Sequence, residues 1–171
     1  MARPAEFAGQ SNPAGQSNAA GQSNPVGQSN AAGQSNLLNQ RIVDYVYKHM
    51  GQQVGNGECW TLAASAMEEA GAREPQGYDF GHELSENEDW QPGDIIQFTS
   101  CVFKQSLPGG GWQIFQAGSP NHTAVFLGRR DGKVLIGQQN VLGNKTVSTM
   151  LLDFKCLMSG KYKVFRAVAE Q

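Results

Sequence analysis

The sequence is short of several things, and each shortage narrows the reading. Its 171 residues contain no apolar run long enough to cross a bilayer. Thirteen Lys and Arg stand against fifteen Asp and Glu, a net charge of −2 without any basic block, so neither a nucleic-acid nor a membrane partner is expected. Only three cysteines occur, at Cys59, Cys101 and Cys156; an odd, widely spaced set implies no disulfide framework and suits a reducing interior. The start, Met1 to Phe7, lacks the apolar core of a secretory signal, and the expectation is a cytoplasmic location. His82 and Glu83 are the nearest approach to a metal pair, but adjacent residues rarely both ligate and no third ligand follows at a useful spacing. No metal and no cofactor is expected.

Large and charged side chains are also scarce over residues 8–36, which hold five copies of a six-residue unit beginning at Ala8, Ala14, Ala20, Val26 and Ala32. As a β-solenoid the unit would bury only alanines and one valine, too little to offset about 1–2 kcal/mol of ordering entropy per residue. Residues 1–36 therefore read as a disordered low-complexity tail, and residues 37–171 as one domain.

Within that domain the spacing of Leu38, Ile42, Tyr45, Val46 and Met50 predicts a helix over 37–50, capped by Asn36 and stopped by Gly51. A second helix is predicted from Cys59, because Leu62, Ala63, Ala66, Met67 and Ala70 repeat at three-and-four spacing before Gly71. A glycine-rich turn, Gly55-Asn56-Gly57, delivers Cys59 to the first turn of that helix. Unpaired N–H groups and the positive end of the helix dipole favour thiolate over thiol there, as a nucleophile requires. Cys101 and Cys156, in apolar surroundings, read as packing residues.

Pro92-Gly93-Asp94 is a turn that launches a strand from Ile95, and Leu107 to Gly111 is a loop followed by a short strand from Trp112. Arg73 to Leu84 reads as a structured surface loop. The strongest strand pair is His122–Gly128 with Lys133–Asn140, joined through Asp131-Gly132 as a hairpin. That geometry carries His122 and the Gln138-Gln139-Asn140 end to one edge of the sheet. With a closing strand at Tyr162–Val168, the pattern is α+β: two helices, then a mostly antiparallel sheet.

In this order, Gly57-Glu58-Cys59, Pro92-Gly93-Asp94-Ile95-Ile96, His122-Thr123-Ala124-Val125 and Gln138-Gln139-Asn140 resemble the papain-like cysteine hydrolases, in particular their CHAP and NlpC-type branch. A closer likeness, over about residues 38–168, is to the cysteine-protease-fold domain at the C-terminus of fungal actin-patch SH3 proteins. The resemblance implies Cys59 as nucleophile and His122 as general base, paired as thiolate and imidazolium. It implies Asn140 or Gln138 as the residue orienting the imidazole and Gln53 as an oxyanion donor; Trp60, beside Cys59, reads as core, with a substrate-binding role as the alternative. Gln138 departs from the glutamate usual in CHAP amidases.

The implied activity is that of a cysteine peptidase or amidase acting on a peptide or protein amide through a thioester. The alternative is an inactive papain-fold domain that serves as a protein-interaction module, with a protein partner held by the tail or the fold.

Overall fold

A computed structural model of the chain describes residues 26–107 and 109–170. The expected disorder of residues 1–25 lies outside the described residues. Helix α1 spans Val26–Lys48 and helix α2 spans Cys59–Ala70. The strands are β1 His82–Glu83, β2 Ile95–Ser106, β3 Trp112–Arg130, β4 Lys133–Gln138, β5 Ser148–Leu152 and β6 Leu157–Arg166. They form one sheet in the order β1-β6-β2-β3-β4-β5, with antiparallel pairing throughout.

Helix α2 has the length and buried face that its sequence predicts: Leu62, Ala63, Ala66, Met67 and Ala70 are all buried. Gly71 ends it at φ 78°, a left-handed conformation that costs little without a Cβ. The β3–β4 turn likewise follows its sequence, with Asp131 and Gly132 at φ 52° and 72° as a type I′ turn requires.

Four expectations need correction. Helix α1 begins at Val26 instead of after an Asn36 cap, so the last two repeat copies continue the amphipathic helix that follows them. His82 and Glu83 form a short edge strand on β6. They are engaged separately, His82 with Glu88 at 3.0 Å and Glu83 with Lys163 at 2.7 Å. The strand from Ile95 continues through Cys101–Lys104 to Ser106, as that apolar segment allows, but its partner from Trp112 is not short: it runs on to Arg130 because Gly118-Ser119-Pro120 forms a bulge within β3. In that register Thr99 faces Asn121 and Cys101 faces Ala117, leaving Ser100 alone opposite the three bulged residues. The closing strand begins at Leu157, ahead of the expected Tyr162.

The sheet is buried on both faces. Ile95 joins Ile42, Val46, Leu62, Met67 and Phe165 beneath the helices, whereas its neighbour Ile96 joins Phe98, Phe103, Phe126, Ile136 and Leu152. That split is the two-residue alternation of a strand with a core on each side.

The Pro-Gly-Asp turn fastens the two layers. Asp94 is fully buried and accepts from Asn39 Nδ2 at 2.9 Å and from Arg166 Nε and Nη2 at 3.0 and 2.9 Å. The backbone N–H of Gln91 donates to it at 2.7 Å. One carboxylate thus ties α1 to the start of β2 and the end of β6. Gly93 has to be glycine, because a Cβ there would strike the Asn39 carbonyl. No helix among the described residues is long and apolar enough to cross a membrane.

Candidate active site

Cys59 is the first residue of α2, preceded by Glu58 in extended conformation at the N-cap position. No side chain caps this helix start; the Thr61 N–H turns to the Glu58 carbonyl at 3.1 Å, which leaves the N–H groups of Cys59 and Trp60 at its open end. Cys59 and His122 line the same cleft, of about 410 Å³, together with Glu58, Phe115, Asn140 and Leu142. His122 reaches it from β3, immediately after the bulge. Gly118 makes that bulge feasible: at φ 91°, a Cβ would lie 2.7 Å from the Asn121 carbonyl carbon.

His122 is only 5% exposed and lies between Phe98, stacked at 6.2 Å, and Phe115, edge-on at 6.5 Å. Burial in these apolar surroundings pushes its pKa below the ordinary 6.5, while the bond to Gln138 acts in the opposite direction. Burial thus works against the imidazolium form, and the Gln138 bond works for it. His122 Nε2 lies 2.8 Å from Gln138 Oε1. A carbonyl oxygen only accepts, so Nε2 carries the proton and Nδ1 keeps its lone pair.

A stability prediction follows from the lowered pKa. Below about pH 6.5 the unfolded chain binds a proton at this position and the folded chain resists it. The stability associated with a neutral His122 is full above that pH and is lost as pH falls towards the folded pKa. Thermal melts from about pH 7 to about pH 5 should show a declining midpoint, and His122→Gln should flatten that decline.

The three residues Gln138-Gln139-Asn140 do three separate jobs. Gln138 orients His122. Gln139, fully buried, accepts from the Val54 N–H at 3.2 Å and donates to the carbonyls of Val54 and Glu58 at 3.0 and 2.8 Å, fixing the turn ahead of Cys59. Asn140 donates to the Glu58 carboxylate at 2.6 Å. Of the two candidate orienters, then, Gln138 holds the imidazole and Asn140 does not. Asn140 sits at φ 60°, a left-handed turn that breaks the strand's alternation and redirects its side chain.

Lys145 also grips Glu58, at 3.0 Å. The Lys145 hydrogen bond, the largest effect, holds that carboxyl below the usual range against the desolvation that opposes it, with the Lys145 charge and the Asn140 bond adding to the lowering. Sequence reasoning quoted Glu58 only as part of a motif; the signal for its anchoring, Lys145 far along the chain, is visible only once the chain is folded.

Gln53 and Trp60 are not brought to the cleft. The Gln53 amide is turned to the Gly55 carbonyl at 3.1 Å, and the Trp60 indole donates to the Gly77 carbonyl at 2.6 Å. Trp60 instead packs on the helix-side core and lines a separate pocket with Glu68 and Glu74. Cys101 is buried with its thiol on the Lys161 carbonyl at 3.1 Å. Sequence reasoning missed Leu142, 98% exposed at the cleft lip, because an apolar residue in a Gly-Asn loop carries no distinguishing pattern.

The family model of the AIM3/BBC1 cysteine proteinase-fold domain matches residues 20–171. The chain belongs to this family. A curated relative, altered inheritance of mitochondria protein 3 of Debaryomyces hansenii, is 32% identical over 130 residues. That alignment covers 65% of this chain and 14% of the relative, so the chain spans a small part of the relative's length. Two solved structures of Ly7917, one with the hydrolysis product of MDP, overlay at TM-scores of 0.48 and 0.49. They are 15% and 14% identical, and each match covers 75% of this chain and 62% of Ly7917. Family membership rests on the sequence match, and the α+β architecture of this AIM3/BBC1-type domain agrees with it.

Proposed function

We propose that this domain hydrolyses peptide amides as a cysteine peptidase or amidase, with Cys59 as nucleophile, His122 as general base and Gln138 as the residue that positions His122. The observation that carries the reading is the buried His122–Gln138 bond in the cleft that Cys59 also lines. With Nε2 committed to Gln138, Nδ1 takes the proton from the Cys59 thiol. The sulfur attacks the amide carbonyl carbon, and the C–N bond breaks as the Nδ1 proton passes to the leaving amine. Backbone N–H groups at the start of α2, that of Cys59 first among them, receive the oxyanion. Water, deprotonated by the same nitrogen, then cleaves the thioester.

The substrate class is a protein, isopeptide or small-peptide amide. The CHAP and NlpC-type motif order supports an amidase lineage. A peptide carrying a vinyl sulfone should label Cys59 in the folded chain and leave Cys101 and Cys156 unlabelled; labelling only after unfolding would overturn the proposal.

Gln138 and Asn140 separate by their variants. Gln138→Glu places a carboxylate on Nε2, which favours imidazolium and should move the pH profile of Cys59 labelling upward. Asn140→Ala should leave that profile in place, since Asn140 is bonded to Glu58.

A protein-interaction module is the second reading, favoured by one observation: Leu142, Trp112 and Ile114 are large, apolar and 98%, 65% and 68% exposed.

A further inference from the structure

Between Trp112 and Ala117, β3 pairs with β2 only. Its pairing with β4 is confined to Val125–Arg130. Among the described residues, the other edge of this stretch has no strand beside it, and such an edge presents a row of N–H and C=O groups. Edges of this kind are ordinarily protected by charge or proline. Trp112-Gln113-Ile114-Phe115-Gln116-Ala117 contains neither.

The free edge also leads somewhere. Phe115 and Gln116 line the cleft that holds Cys59, and Val141 and Leu142, on the connection after β4, line it as well. Where β4 ends, the β3 edge and that connection thus become two sides of a slot. Strands pair at about 4.7–4.9 Å, and a slot bounded on both sides admits one extended segment more readily than the edge of a second folded domain. Trp112 and Ile114 alternate along the strand and stand 65% and 68% exposed, in position for cross-strand contacts with apolar side chains two residues apart.

We infer that the Trp112–Ala117 edge binds an extended peptide, apolar at alternate positions, as an added β-strand that runs into the Cys59 cleft. This rests on the reading of the cleft as a peptide site and supplies its substrate class. Affinity comes from main-chain hydrogen bonds, and selectivity from Trp112, Ile114 and the lip residue Leu142.

The test is a selection from a displayed random dodecapeptide library against the full chain carrying Cys59→Ala, so that binding is read without turnover. Enriched peptides are synthesised and N-methylated at one backbone amide at a time. Strand addition predicts a two-residue period: methylation at every second amide weakens binding by about tenfold, and methylation between them has little effect. Ile114→Lys, a change at an exposed position, should weaken binding similarly while the far-UV spectrum and melting midpoint stay unchanged. The inference is overturned by an absence of enriched peptides, or by methylation effects without that period. It is also overturned if the parent chain self-associates, Ile114→Lys makes it monomeric, and neither binds peptide, because the edge is then a dimer contact. Failure of this kind, with His122-dependent labelling of Cys59 intact, would leave the hydrolase reading standing and remove only the binding mode.

Discussion

Asp94→Ala should destabilise the domain by about 3–5 kcal/mol, the cost of removing one partner from a buried ion pair. The carboxylate is fully buried, and its loss strands the Arg166 guanidinium, itself mostly covered, and the Asn39 amide. Set against a total stability of about 5–15 kcal/mol, that is a large fraction, and the melting midpoint should fall by about 10 °C or more. Adding Arg166→Met to the alanine variant should cost little further, because the stranded charge is then removed as well. The consequence reaches the site. Asn39 lies on α1 and Arg166 at the end of β6, so Asp94 fastens the helix layer to the sheet. Cys59 belongs to the first layer and His122 to the second. Loosening that joint should lower labelling of Cys59 under conditions where the variant is still folded. A variant that melts within a few degrees of the parent would contradict the account of the Pro-Gly-Asp turn.

His122→Ala should reduce amide hydrolysis by about 10²–10⁴-fold, the usual contribution of a positioned general base. The loss should fall mainly on kcat, since His122 is 5% exposed and offers little surface for binding substrate. Cys59→Ala should abolish covalent capture altogether, there being no other nucleophile in the cleft lining with a thiol. Gln138→Ala should sit between these: it leaves His122 in place but frees the ring to turn and to change tautomer. Equal activity in the parent and His122→Ala chains would remove the base from the mechanism.

Much of the site was legible from sequence because its placing elements carry strong local signals. The apolar spacing from Leu62 to Ala70 and the glycine after it define α2, and therefore the position of Cys59 at its start. Asp131-Gly132 defines the β3–β4 hairpin, and therefore the proximity of His122 to Gln138. What escaped depends on contacts distant in the chain or on unusual backbone. Asn140 and Gln138 are equivalent in sequence; only the left-handed turn at Asn140 sends one to Glu58 and leaves the other on His122. The apolar walls around His122 come from Phe98 and Phe115, which no spacing places there. Gly118-Ser119-Pro120 has the composition of a loop, yet a partner strand held by many residues on either side absorbs it as a bulge. The start of α1 has a similar origin: a polar repeat with no helical period is carried into the helix by the amphipathic segment behind it.

The central claim is that His122 takes the proton of Cys59. Its most direct test is the alkylation rate of each cysteine by iodoacetamide, resolved by mass spectrometry, in the folded parent and in His122→Ala at neutral pH. Burial pushes the Cys101 thiol up, and burial with the Asp153 carboxylate raises that of Cys156, so both should react slowly in either chain. The account predicts that Cys59 reacts fastest in the parent and slows by about tenfold or more without His122. A Cys59 rate that matches the other two, or that is unchanged by His122→Ala, would contradict it.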